Sequence, residues 1–225
     1  MKITYLGQAG LLFNVNDKII LVDPYLSDSV EKIQPLSKRR QPIDNKFLAI
    51  KPDVVVITHN HLDHYDKETL SHYLNGGSVA VLSPRSVFND VRTSFSDKNQ
   101  YLLFDSKTTI TLLGVKFSAV KAVHSDEFAI GVIIEIDGEN YYITGDTLYS
   151  EKVFESLPKK SFKAVFLPIN GVGNNMNVVD AKKFVSRLNV KTVVPIHVGL
   201  FDDMTGEELD VKNKIIPKIY KELNL

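Results

Sequence analysis

The chain contains no cysteine, and its 27 Lys and Arg are matched by 27 Asp and Glu. The first absence excludes disulfide frameworks, thiolate zinc sites and cysteine nucleophiles, so any metal must rest on His, Asp or Glu. The second leaves no global field to draw the protein onto nucleic acid or an anionic membrane. No apolar run approaches the roughly 20 residues that span a bilayer. Met1-Lys2-Ile3-Thr4-Tyr5-Leu6 passes straight into strand-like alternation, so no secretory leader is expected. A cytoplasmic location is the default expectation. Internal repeats, low-complexity tracts and obvious linkers are missing too. Residues 1–225 therefore read as a single domain, long enough to bury a substantial core.

Six histidines are present, and three of them crowd into Ile57-Thr58-His59-Asn60-His61-Leu62-Asp63-His64-Tyr65-Asp66. The stretch follows Val54-Val55-Val56-Ile57, a β-branched run that predicts a buried strand. It precedes Asp66 to Leu74, where a capping aspartate and Leu70, Tyr73 and Leu74 on one face predict a helix. Side chains alternate along extended chain, so His59 and His61 point to one side and can share a metal ion. Asp63 and His64 lie round the turn, at an angle suited to a second ion. A lone histidine is ordinarily a surface residue. Three of them with an aspartate at a strand's end point instead to metal binding.

The remaining candidates are scattered, but they occupy the same kind of place. His124 follows the strand expected over Val115 to Val123, His197 follows Val193-Val194-Pro195-Ile196, and Asp146 leaves a strand after Gly145. His72 lies off the apolar face of its helix and reads as solvent-exposed. Asp23 ends a hairpin built from Leu11–Val15 and Lys18–Val22 around Asn16-Asp17. It reads either as a turn initiator before Pro24 or as the acceptor for the free N–H of a metal-ligating imidazole. Tyr25 to Ile50 is polar and proline-punctuated, a candidate lid or binding loop. Its Arg39 and Arg40 read as solvated surface or as contacts to an anionic substrate. Asn170, Asn175 and Met176 are candidates for the substrate mouth, although Asn175 to Asn177 also read as the cap of a helix beginning near Val178.

Further strands are expected over 78–82, 100–104, 108–113, 129–136, 141–144 and 164–167. Helices are expected around 86–92, 151–157 and 179–188, and a mixed helix over 207–223 interrupted at Pro217. Strands and helices mixed throughout imply an α+β layered architecture, two sheets packed together with helices outside.

The ordered set His59-x-His61-x-Asp63-His64, His124, Gly145-Asp146 and His197 resembles the metallo-β-lactamase superfamily of hydrolases. The stretches Asp23 to Ser29, Pro168 to Gly171, Asn175-Met176 and Val194 to Phe201 are similar to the branch that includes ascorbate-6-phosphate lactonase and related metal-dependent hydrolases. The resemblance implies a four-layer αββα sandwich with two divalent ions between the sheets. His59, His61 and His124 would hold one ion and Asp63, His64 and His197 the other, with Asp146 bridging and Asp23 supporting a ligand from behind. Zinc, manganese and iron all suit such nitrogen and oxygen donors. Asp63 and Asp146 are then the catalytic carboxylates, holding the ions that activate a hydroxide. The loaded centre retains a charge of roughly +1, which favours an anionic or strongly polarised small-molecule substrate. A lactone or related ester bearing an anionic group, recognised by Arg39, Arg40 or Asn170, is the leading expectation. A phosphodiester is the second, and a non-catalytic metal- or ligand-binding scaffold the third. Neither nucleic acid nor membrane is an expected partner, and a homo-oligomer is in keeping with the resemblance. Gln8 is a departure, standing where some members of the branch carry histidine. The glycine-rich run from Asn170 to Asn175 is another, where arginine or more polar residues are expected.

Overall fold

Valine and isoleucine occupy successive positions of the strand before the histidine cluster, so that strand must be covered on both faces. Val54 and Val56 face one apolar core, while Val55 and Ile57 face another. The computed structural model describes residues 1–225. Its first strands are β1 (Lys2–Gly7), β2 (Gly10–Val15), β3 (Lys18–Val22), β4 (Val54–Val56), β5 (Ala80–Ser83) and β6 (Gln100–Leu103). There follow β7 (Thr109–Leu112), β8 (Val115–Lys121), β9 (Ile130–Ile136), β10 (Glu139–Ile143), β11 (Ser161–Pro168), β12 (Asn189–Ile196) and β13 (Lys221–Leu223). The helices are α1 (Ser29–Ile33), α2 (Lys67–Leu74), α3 (Arg85–Ser94), α4 (Glu151–Ser156) and α5 (Val178–Ser186).

The strands form a seven-stranded sheet, β13-β1-β2-β3-β4-β5-β6, and a six-stranded sheet, β12-β11-β10-β9-β8-β7. Each is mixed. β3 to β6 run parallel in the first and β10 to β12 in the second, with antiparallel pairs making up the rest. Between the sheets, Phe13 meets Tyr141 and Phe166 edge-on, with ring centroids 6.1 and 6.3 Å apart. Leu70, Tyr73 and Leu74 of α2 and Val87 and Val91 of α3 cover the outer face of the first sheet. Val153 of α4 and Ala181, Phe184 and Val185 of α5 cover the second. The result is the expected αββα sandwich. Asp66 caps α2 as expected, its carboxylate accepting from the N–H groups of Glu68 and Thr69. No helix is long and apolar enough to cross a membrane.

Two stretches differ from expectation. Residues 207–223 form no helix. Val211, Ile215 and Ile219 are spaced like one helical face, yet the chain runs beside β12, with a bridge between Val193 and Lys214, before β13 pairs with β1 at Ile3 and Leu223. Pro217 and the packing of Ile215 and Ile219 onto the inter-sheet core favour the extended path. The Tyr25–Ile50 segment is also anchored more firmly than a polar loop. It carries α1, and Phe47 packs face to face on Tyr220, centroids 5.3 Å apart.

Gly145, at the end of β10, has φ +61, and a Cβ there would lie 2.5 Å from the Ile130 carbonyl oxygen. Gly145→Ala is therefore expected to cost at least about 1–3 kcal/mol. Gly138→Ala is the control, with a similarly positive φ of +79 but open space at the Cβ. Urea unfolding midpoints compare the two; equal losses would show that contact with Ile130 contributes nothing.

Candidate metal centre

Seven donor side chains come from both sheets, and all of them leave the C-terminal ends of strands. The loop after β4 supplies His59, His61, Asp63 and His64. The second sheet supplies His124 beyond β8, Asp146 beyond β10 and His197 after β12. The rings of His59, His61 and His124 form a near-equilateral triangle, with centroids 4.7, 4.6 and 4.6 Å apart. One donor atom from each of these rings and from Asp146 lies within 4.8 Å of the others, and the same holds for Asp63, His64 and His197. Asp146 touches the second group as well. Its Oδ1 is 3.3 Å from His64 Nε2 and its Oδ2 is 3.2 Å from His197 Nε2. One carboxylate thus faces both groups.

The donor atoms fit divalent cations. His59 Nε2 is buried with no hydrogen-bond partner, and His61 Nδ1 stands 3.1 Å from His124 Nε2. Bare imidazole nitrogens aimed at a common point, beside a carboxylate, are the chemistry that zinc, manganese or iron takes. Two clusters sharing Asp146 make a potential dinuclear site.

The electrostatics agree. Burial alone would raise the carboxyls of Asp63 and Asp146, but the facing rings of His64 and His197 hold both well below the ordinary carboxylate range. Burial opposes charge on His64, yet Asp146, Asp63 and Asp23 outweigh it and hold the ring well above its usual value. His197 is pushed up to about 10 by Asp146 and Asp63, again against burial. His59 goes the other way, lowered by burial and then by the charge on His64. The raised rings of His64 and His197 mark the place where the two carboxylates attract positive charge.

A ring of neighbours fixes these donors. Asp23 is fully buried. Its carboxylate accepts from Thr58 N (2.8 Å) and Thr58 Oγ1 (2.5 Å) and lies 2.8 Å from His64 Nδ1. Its oxygens are thus engaged, and Asp23 orients His64 while leaving Nε2 for a cation. Asn175 Nδ2 donates to Asp146 Oδ2 at 2.9 Å. Asn170 Nδ2 stands 3.1 Å from His197 Nδ1 while its Oδ1 is buried without a partner. With His197 Nε2 turned to a cation, Nδ1 carries the proton, so the amide is better placed with Oδ1 accepting. Gln8 Nε2 donates to Asp63 Oδ2 at 2.7 Å, and the Gln8 carbonyl accepts from His197 N at 2.7 Å. Gln8, Asp23 and His197 all hold positive φ, at 52°, 42° and 62°, backbone strain gathered at one place.

Other candidates fall outside this ring. Arg39 is buried, donating to the Tyr25 carbonyl at 3.1 Å and to the Tyr220 hydroxyl at 2.9 Å. Arg40 pairs with Asp203. Neither lines the cavity over the cluster; both instead pin the loop to the C-terminal region, through Tyr220 and Asp203. Asn170 does line that cavity. Met176 is buried in the core beneath α5, and Asn177, not Asn175, caps that helix. His72 is exposed. Asp126 went unmarked in the sequence. It accepts from Asn60 N at 3.0 Å and Ser86 Oγ at 2.6 Å, tying the histidine loop to α3; its place two residues after His124 was the available signal.

Asp23→Ala should weaken the cation held through His64 by about 10–100-fold, and Gln8→Ala should weaken the same site through Asp63 and His197. Chelator-competition titrations would resolve the two ions. Equal weakening of the His59–His61–His124 ion in either variant would show that the supports are not local.

The sequence profile of the β-lactamase superfamily domain matches residues 2–197. A UPF0173 metal-dependent hydrolase from Korarchaeum cryptofilum is 26% identical over 220 residues, covering 96% of this chain and 90% of that protein. Among solved structures, Igni18, a metallo hydrolase from Ignicoccus hospitalis, superposes with a TM-score of 0.75 at 21% identity, covering 99% of this chain and 97% of that one. CmlA, a diiron β-hydroxylase from Streptomyces venezuelae, reaches 0.78 at 17% identity, covering 100% of this chain and 54% of that one. Fold, donor geometry and the matched span together place the chain in the metallo-β-lactamase superfamily of metal-dependent hydrolases.

Proposed function

We propose that the chain hydrolyses an ester-type bond at a centre of two divalent cations, with a lactone or related carboxylic ester as the leading substrate. The observation that carries this reading is the position of Asp146, whose carboxylate clusters with His59, His61 and His124 and also lies 3.3 and 3.2 Å from His64 and His197, while His59 Nε2 lies buried and unpartnered. When bound, such a pair of cations supplies Lewis acidity and lowers the pKa of water towards neutrality. The chain contributes the fixed framework. His59, His61 and His124 would hold one cation and Asp63, His64 and His197 the other, with Asp146 within reach of both. Asp23 sets the tautomer of His64 and Asn170 that of His197. Asn175 keeps the Asp146 carboxylate from rotating, and Gln8 does the same for Asp63. No serine or cysteine nucleophile is called for.

The likeness of Asp23–Ser29, Pro168–Gly171 and Val194–Phe201 to the ascorbate-6-phosphate lactonase branch supports the lactone as substrate class. An anionic group on that substrate has no arginine to meet it, since Arg39 and Arg40 are engaged elsewhere.

Metal analysis of the purified chain should find about two ions per chain. Turnover of simple lactones should exceed that of bis-aryl phosphates on the same preparation; the reverse order would make the protein a phosphodiesterase. His61→Ala should lose metal and turnover together, by more than the about 10–100-fold cost of removing a supporting partner. Retained turnover in that variant would contradict the assignment.

A further inference from the structure

A cavity of about 600 Å³ opens over the donor cluster. Val30, Ile33, Leu62, Val172 and Phe201 supply its apolar wall. Ile33 and Val172, from α1 and from the loop after β11, are 73% and 68% exposed, so two branched side chains from separate segments stand in water at the rim of one site. Scattered exposed apolar residues are ordinary, but a rim that continues into a ligand cavity marks the surface a ligand covers.

The polar part of the wall is neutral or negative. Gln8, Asn170 and Asn175 are committed to Asp63, His197 and Asp146. Gln34 and Asn60 remain to meet a carbonyl or hydroxyl. The charged side chains in the wall, other than histidine, are Asp63, Asp146 and Asp202. Asp202 is fixed there by the N–H groups of Gly199 and Met204 at 2.8 and 3.0 Å. It offsets the surplus of roughly +1 expected at the loaded centre. The cations of the neighbouring segment all turn elsewhere. Lys32 pairs with Glu68 at 2.6 Å, Lys38 lies 3.8 Å from Glu31, Arg40 pairs with Asp203, and Arg39 is buried against Tyr25 and Tyr220.

We infer that the cavity selects an uncharged substrate whose hydrolysable carbonyl sits at the donor cluster and whose hydrocarbon arm lies across Ile33, Val172 and Phe201. The inference rests on the hydrolase reading and narrows it to neutral lactones or esters with an alkyl or acyl arm.

The metal-loaded chain should be assayed with γ-lactones of increasing unbranched alkyl length, and with the same series ending in a carboxylate or phosphate. kcat/KM is expected to rise by up to about fourfold for each methylene until the cavity is filled. A terminal anion is expected to lower it by more than about tenfold, because the wall offers that charge no partner. Ile33→Ser combined with Val172→Ser should flatten the dependence on chain length; both positions are exposed, so the core is not disturbed. Gln34→Lys should shift preference towards the anionic series. Anionic substrates matching or surpassing the neutral ones, or no gain with alkyl length, would overturn the inference and leave the hydrolase reading standing. If no lactone turns over although two ions are bound, the lactone reading fails, and calorimetry with the corresponding lactams decides the rest. Tighter binding of longer alkyl lactams with a negative heat-capacity change supports the neutral arm. Preference for the carboxylate-bearing lactams refutes it.

Discussion

The buried carboxylate of Asp23 is the interaction on which the rest of the site depends. An ion so far from water is costly unless its lone pairs are satisfied. Here Thr58 supplies two hydrogen bonds and the His64 ring a third partner, while the Asp23 N–H donates to the Val56 carbonyl. These contacts set Thr58, the second residue beyond β4, and the orientation of the His64 ring six residues later. The loop between them has little freedom left, and His61 and Asp63 are placed as a result.

The second constraint is that neither sheet holds a complete site. The first sheet contributes Gln8, Asp23 and the 59–64 loop; the second contributes His124, Asp146, Asn170 and His197. The two sets meet only because Phe13, Tyr141, Phe166 and their neighbours press the sheets together. Cation binding and inter-sheet packing would therefore be coupled: whatever loosens the sandwich separates the donors, and ions bound between them would hold the sheets together.

What was legible in the sequence was local or positional. His59, His61, Asp63 and His64 lie within one turn of chain, and His124, Asp146 and His197 were marked by ending apolar strands. The layered fold followed from strands and helices mixed throughout the chain. The misreadings have physical causes. The charge run at Arg39-Arg40 carries no trace of Tyr220, a partner 181 residues away, or of Asp203. Val211, Ile215 and Ile219 recur every fourth residue, a spacing that an extended chain against a core can also satisfy. Asn175 and Asn177 are two positions apart and chemically alike, and only the path of the loop assigns one to Asp146 and the other to the helix end. The positive φ of Gln8, Asp23 and His197 carries no glycine to mark it in the sequence.

The loop that carries Val30, Ile33, Gln34 and Ser37 holds no donor to the metal cluster. It is tethered at its base by Tyr25 and Arg39, and by Tyr220 from the far end of the chain. It is thus an exchangeable cassette on a fixed donor framework. Substitutions between those tethers can retune selectivity while the reacting apparatus stays as it is, a separation that lets one scaffold diverge towards new compounds without first losing its chemistry.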